Sequence, residues 1–250
     1  MSDMDTNDFT SPLLQAYRQR QPVAVGADAG PSSREQAYAV QQAIWREQVG
    51  SARPTAWKVG APRRDAEPTA APIFPQRIAA SPASLPAASF IGLGIEAEIA
   101  VRFGHDLPAR PERYTREEIL DAIGSVHVAI ELIDSRLATP QAAGPLWCLA
   151  DNLVNGGLIV GDAIPHWREL DFSALAVRAS ADGKTLAETL GRPPLDDLFF
   201  CLPWWIEHVG GTQAGDLVAT GAWNGMHPVG LPAAVRVEFV GVGSAEARVG

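Results

Sequence analysis

The chain has 250 residues, 46% of them hydrophobic, which is enough to bury a sizeable core in one large β-rich domain or in a core with a smaller N-terminal part. Lys and Arg total 20 against 29 Asp and Glu, and the net charge of −9 argues against a nucleic-acid backbone or an anionic membrane surface as partner. No apolar run reaches membrane-spanning length, and the N-terminal Met-Ser-Asp-Met-Asp-Thr-Asn-Asp lacks the regions of a secretory signal. Cys148 and Cys201 stand alone, so the reading is a cytoplasmic protein without a disulfide framework or thiolate metal site, its cysteines buried in packing.

Ser11 to Arg20 and Ser32 to Val49 read as helices, the second opened by the capping-box pair Ser32 and Glu35 and carrying Ala37, Val40, Ile44 and Trp45 on one side. They form a small N-terminal helical cover. A short strand, Thr55-Ala-Trp-Lys-Val-Gly60, follows. Residues 61–89, with six prolines and many alanines, then read as an irregular loop, a boundary or mobile lid. From Phe90 the pattern is mostly strand, over 94–103, 124–133, 156–161, 173–180, 215–220 and 234–241, with Asp182-Gly183 as a hairpin turn. Two helices interrupt it, one capped by Thr115 with Glu118, the other running from Pro194 through Asp197 to about His208. The expected organisation is an α+β fold, with residues 1–89 as helical cover, strand and loop, and residues 90–250 as a β-rich core.

Strict alternation in Gly94-Ile-Glu-Ala-Glu-Ile-Ala-Val-Arg-Phe103 turns Ile95, Ala97, Ile99, Val101 and Phe103 to one face and Glu96 and Glu98 to the other. Two like charges that close call for a cation, and hard carboxylate oxygens suit magnesium, manganese or calcium. Ser125-Val-His-Val-Ala-Ile-Glu-Leu-Ile-Asp134 repeats the pattern and adds Glu131 opposite an apolar face. Three glutamates around a divalent ion leave a charge of about −1 and, at six-coordination, room for roughly three further ligands. A solvated outer face of an antiparallel sheet is the competing explanation of the Glu96 and Glu98 pair.

Taken together, the motifs resemble the fumarylacetoacetate hydrolase superfamily, in its branch of 2-keto-4-pentenoate hydratases and 2-oxo-3-enedioate decarboxylases. The resemblance covers most of the chain. It is carried by Trp57-Lys-Val-Gly60, Ile95-Glu-Ala-Glu-Ile-Ala with Gly104-His-Asp-Leu-Pro108, Ala129-Ile-Glu-Leu-Ile-Asp134, Ala150-Asp-Asn with Gly161, Leu190-Gly-Arg-Pro-Pro194, and Ala214-Gly-Asp-Leu-Val-Ala-Thr-Gly221. It implies a mixed β-roll or barrel core holding one Mg2+ or Mn2+ on Glu96, Glu98 and Glu131, with a small 2-oxo acid chelating the metal. It also implies a homo-oligomer, or a complex with a pathway enzyme.

Lys58 sits between apolar neighbours, so its ammonium is drawn to the acidic site or to a substrate carboxylate; the resemblance makes it an acid/base or substrate-orienting lysine. Asp151 is expected to act in catalysis and Asn152 to position substrate or water, although Asp-Asn is also a common loop and cap pair. Thr220 and Gly221 end a strand where a hydroxyl and close backbone approach suit a substrate carboxylate, or simply make a turn. His127 shares the Glu131 face as a metal or proton-transfer candidate or as a packing residue. His105, Asp106, His208 and His227 lie in loops or near helix ends. Arg136, Trp147 and Trp204-Trp205 read as packing or oligomer contacts.

Three stretches depart from the family pattern. Ala222-Trp-Asn-Gly-Met-His227 follows the Thr-Gly, and Leu153-Val-Asn155 stands where small hydroxyl residues are usual. The 61–89 segment lacks the acid expected near Gln76 and contains no histidine, which weighs against an acylpyruvate hydrolase. The leading expectation is a hydratase of a 2-hydroxy-2,4-dienoate. A decarboxylase of the same branch comes second, and a partner subunit that keeps the fold without turnover belongs to another class.

Overall fold

The computed structural model describes residues 6–250, so the first five residues of the acidic N-terminal stretch lie outside the described part. Two helices come first, α1 (Thr6–Gln19) and α2 (Arg34–Gln48). α1 begins before Ser11 and contains Pro12. Phe9, Leu13, Ala16 and Tyr17 make one buried stripe across that proline, and Phe9 packs edge-on against Trp147 at 5.6 Å, so packing outweighs one lost backbone hydrogen bond. α2 is capped one residue later than expected: Ser33 accepts from Gln36 N, while Ser32 N donates to Gln36 Oε1 at 2.7 Å. Both registers offer a serine three residues before Glu or Gln, and the buried face of Ala37, Val40, Ile44 and Trp45 selects between them.

Four short strands follow, β1 (Ala56–Gly60), β2 (Thr69–Pro72), β3 (Ile78–Ala80) and β4 (Ala83–Leu85), then β5 (Gly94–Phe103) and β6 (Leu107–Pro108). α3 (Arg116–Ala122), with the Thr115–Glu118 capping box as expected, runs directly into β7 (Ile123–Ile133). Next come α4 (Pro140–Ala143), α5 (Pro145–Ala150), β8 (Asn155–Ala163), β9 (Ala176–Ala181) and β10 (Lys184–Leu190). The chain ends with α6 (Leu202–Val209), β11 (Gly211–Thr212), β12 (Leu217–Ala219), β13 (Met226–Pro228), β14 (Ala233–Phe239) and β15 (Gly243–Val249). No described helix is long and apolar enough to cross a membrane.

The larger sheet runs in the order β2-β1-β12-β5-β7-β8-β3, with β13 added to the start of β5, and curls into a half-barrel. The second sheet has the order β10-β9-β14-β15-β4. Between them lies the main core, where Ile95, Ile99, Val101 and Phe103 of β5 and Val126, Val128 and Ile130 of β7 meet Val177, Val237 and Phe239. A second cluster packs α1, α2 and α5 around Phe9, Leu13, Ile44, Trp45, Phe74 and Trp147. The protein is therefore an α+β fold with a β-roll core and N-terminal helices.

The 61–89 segment is not an irregular lid. β2 pairs antiparallel with β1, β3 parallel with β8, and β4 parallel with β15, so this segment joins both sheets and strand pairing crosses the 89/90 boundary. Alanine-rich strands of three and four residues carry no alternation signal; their pairing comes from distant partners. The expected helix from Pro194 shrinks to α6, because Leu195 and Asp196 adopt left-handed backbone (φ 56° and 58°) and end a single turn. The Asp182-Gly183 hairpin joins β9 to β10, both turn residues at positive φ.

Candidate metal centre

Antiparallel pairing of β5 with β7 sets Glu96 opposite Glu131 and Glu98 opposite Ala129. Alternation sends all three carboxylates to the concave side of the half-barrel, where one oxygen from each lies within 4.8 Å of the others. Glu98 is 1% exposed and Glu96 half-buried, so the solvated-face reading of that pair fails, and Glu131 beside them is 0% exposed. Beside them the concave surface is floored by Ala56, Ala100, Ala129 and Ala219 with Ile73, Leu158 and Leu217.

Lys58 stands on β1 in a row with Ala219 of β12 and Ala100 of β5. These small neighbours leave its side chain a path to Glu131, and Nζ lies 2.6 Å from Oε1. Nζ also donates to the Leu153 carbonyl at 3.3 Å. The same Oε1 accepts from Asn155 Nδ2 at 2.8 Å, while Glu131 Oε2 is buried without any partner. Glu98 Oε2 accepts from Gly221 N at 3.0 Å.

One ammonium does not balance three carboxylates, two of them buried and Glu96 half-buried. Burial, then the neighbouring Glu131, raises the Glu96 pKa to about 7 against the help of Lys58. Burial and the charges of Glu131 and Glu96 hold Glu98 well above the usual carboxylate range. For Lys58, burial works against the charged form, but Glu131, Glu96 and Glu98 outweigh it and lift the pKa. The missing positive charge, the hard oxygen donors and the unpartnered Oε2 fit a divalent cation held by Glu96, Glu98 and Glu131.

The other expected site residues take structural positions around this cluster. Asp151 is fully buried and its carboxylate is committed: Oδ1 accepts from Arg136 Nε at 2.5 Å, and Oδ2 from Ser135 Oγ at 2.9 Å and Arg136 N at 3.0 Å. It is not among the clustered carboxylates. Arg136 also donates to the carbonyls of Asp134, Asp151 and Asn155, which makes it an internal anchor in this chain. Burial raises the Asp151 pKa, and Arg136 opposes the shift. Asn152 spends its amide on the Pro72 carbonyl at 2.7 Å. Thr220 Oγ1 donates to Ile99 O at 2.8 Å and ties this turn to the β5 backbone, while Gly221 (φ 110°) turns its N–H to the Glu98 carboxylate.

Between Asp151 and Asn155 the backbone is strained: Asn152, Leu153 and Val154 all adopt left-handed φ, at 57°, 52° and 56°. For a β-branched valine this is a marked outlier. The turn aims the Leu153 carbonyl at Lys58 and the Asn155 amide at Glu131. Asn155 is the site residue that the sequence reading missed; its only signal was the departure at Leu153-Val-Asn155. Asn224 is similar, with both side-chain amide atoms buried and unpartnered. It lies between Trp223, whose N–H donates to Ala97 O at 2.9 Å, and Met226, which pairs with Glu96.

The histidines stay apart. His127 Nε2 meets Ser125 Oγ at 2.9 Å and its Nδ1 faces Gly161 O at 3.3 Å. His208 is packed between Tyr38 and Trp204, with ring centroids 4.7 and 4.6 Å away. His227 contacts Asn224 O at 3.0 Å, and Asp106 accepts from Ala214 N at 2.7 Å. His105 donates its backbone N–H to Ala122 O. Trp205 is buried against Phe103, and Cys201 is buried while Cys148 is half-buried.

Residues 51–250 match the family described as fumarylacetoacetate (FAA) hydrolase C-terminal. The chain belongs to the fumarylacetoacetate hydrolase family. Among relatives, a 2-keto-4-pentenoate hydratase of Burkholderia vietnamiensis is 30% identical over 65% of this chain, and the match spans 63% of that protein's length. 2-Keto-4-pentenoate hydratase 2 of Dechloromonas aromatica is 24% identical over 97% of this chain and 98% of its own. Among solved structures, the 4-oxalocrotonate decarboxylase from Pseudomonas putida G7, complexed with magnesium and adipate, superposes with a TM-score of 0.81 at 21% identity, covering 98% of this chain and 97% of that one. That likeness shows a common fold across nearly the whole chain. The segment before residue 51, outside the family match, contains α1 and α2.

Proposed function

We propose that this member of the fumarylacetoacetate hydrolase family is a metal-dependent lyase that hydrates a 2-hydroxy-2,4-dienoate to a 4-hydroxy-2-oxo acid. The observation that carries the reading is the cluster of half-buried Glu96 with buried Glu98 and Glu131, with Lys58 in contact and one carboxylate oxygen left unpartnered. The relatives named as hydratases and the neighbour crystallised with magnesium support it.

A divalent ion held by the three glutamates supplies Lewis acidity that polarises the 2-oxo group of a bound acid. The chain's own residues do the rest. Lys58, drawn out of water and held among carboxylates, is the group placed to pair with the substrate carboxylate or to exchange protons with the carbon skeleton. In the hydration, a proton moves from the 2-hydroxyl to solvent or base as C5 is protonated; water adds at C4, and C3 then takes a proton. Gly221 holds Glu98, Thr220 fixes the turn against β5 at Ile99, and Asn155 holds Glu131. Asn224 offers an unpaired amide to a polar substituent.

The test is turnover of freshly generated 2-hydroxypenta-2,4-dienoate with Mg2+ or Mn2+, assayed for the 4-hydroxy-2-oxo product. In parallel, a 2-oxo-3-enedioate is assayed for carbon dioxide. Hydrated product that disappears in Glu98→Gln supports the reading. Carbon dioxide release without hydrated product replaces it with the decarboxylase, and absence of both overturns it.

A further inference from the structure

A second pocket, of about 320 Å3, opens where the end of α1 meets the turn before β3 and the chain around Ser89. It lies across the sheet from the carboxylates. Leu132 and Gly156 form part of its wall, and Leu132 faces the inter-sheet core while its chain neighbour Glu131 faces the concave side.

Arg20 and Arg77 line this pocket and no aspartate or glutamate among the described residues does, in a chain whose net charge is −9. Arg20 makes no side-chain hydrogen bond or ion pair with any described residue. It closes α1 in left-handed backbone (φ 54°), a position where glycine is unstrained, so the arginine is kept there at a conformational cost. Arg77 donates one N–H to Ser89 O at 2.7 Å and lies 5.0 Å from the Phe90 ring centroid, without a carboxylate partner. Burial, then the charge of Arg20, pushes the Arg77 pKa down, and Asp134 opposes this. Asp134 itself is occupied by the N–H groups of Ile91 and Gly92.

Tyr17 supplies an independent sign. It lines the same pocket, is 8% exposed, and its hydroxyl is buried with no partner. Burial raises its pKa, so it stays a protonated donor at neutral pH. Unpartnered buried donors are uncommon and point to a group the chain does not itself provide. Gln48, Gln76 and Ser89 add neutral polar groups to the wall, and Phe74, Leu85, Phe90 and Leu132 give it an apolar part. A bare inorganic anion would leave that surface unused.

We propose that this pocket binds a small organic carboxylate, its charge between Arg20 and Arg77 with Tyr17 as a further donor, and its apolar body on Phe74, Phe90 and Leu132. The site is separate from the metal centre. Isothermal titration of benzoate into chelator-treated protein tests it. Saturable binding is expected, weakened at least about tenfold in Arg20→Ala and in Arg77→Gln, and unchanged in Glu98→Gln. Because the Arg20 side chain makes no hydrogen bond or ion pair with another described residue, Arg20→Ala should fold normally, and a matching circular-dichroism melt checks this. Absence of saturable binding, or equal affinity in folded Arg20→Ala, overturns the proposal. Displacement of benzoate by an equal concentration of sulfate also overturns it, since the pocket would then read charge alone.

Discussion

Lys58 and Asn155 donate to the same oxygen of Glu131, at 2.6 and 2.8 Å, and leave the other oxygen bare. Asn155 thereby fixes the orientation of Glu131 whether or not Lys58 stays in contact. Asn155→Ala should weaken Mg2+ or Mn2+ binding about 10- to 100-fold, as loss of a supporting hydrogen bond to a metal ligand does. Calorimetric metal titration measures this directly. An unchanged metal affinity alongside a lowered melting temperature would reduce Asn155 to a packing role.

Lys58→Met should lower kcat by about 10²- to 10⁴-fold, the usual range for a lost proton-transfer group. Metal affinity should hold or rise, because the ammonium that competes for Glu131 is gone. A loss of metal binding as large as the loss of turnover would assign Lys58 to the architecture of the site.

In chelator, the protein should become less stable as pH rises from about 5 to about 8. Glu96 has a folded-state pKa of about 7, above its ordinary 4.5. Between those values the folded protein binds more protons than the unfolded chain, so its stabilising contribution is present below and lost as pH rises through 7. Glu98 shifts in the same direction. Saturating Mg2+ or Mn2+, which binds the deprotonated carboxylates, should flatten or reverse the trend. Thermal melts at pH 5.5 and 8.0, with and without metal, decide it; a metal-free melting temperature that climbs with pH would contradict the electrostatics of the cluster.

Asp151→Ala should cost about 3–5 kcal/mol of stability, because it leaves the Arg136 guanidinium buried and unpaired. Denaturant unfolding gives the number. If Asp151 were instead an acid or base in the reaction, Asp151→Asn would keep most of the stability and abolish turnover.

Much of this centre was visible in the sequence because a strand's period of two converts spacing into facing. Alternation put Glu96 and Glu98 on one face of a strand and Glu131 on the polar face of another, the family resemblance joined the three, and Gly94–Phe103 was bounded correctly. What could not be read was pairing across distance. β3 and β4 are three residues each and exist because β8 and β15 lie beside them. Asp151 was singled out through the Ala150-Asp-Asn motif of the family resemblance; only the fold reveals Arg136 paired with it. Asn155 was legible as an oddity without a reason, since its partner lies 24 residues away in the chain.

The contact between Lys58 and Glu131 also measures shape. Lys58 is on β1 and Glu131 on β7, with β12 and β5 between them. On a flat sheet those two strands would be about 14 Å apart, and their side chains would stand roughly parallel and never touch. A separation of 2.6 Å between the tips means that the sheet bends far enough for opposite walls to face one another. The bridge is thus a gauge of curvature, and any change that unrolled the barrel would disarm the centre without altering one of its residues.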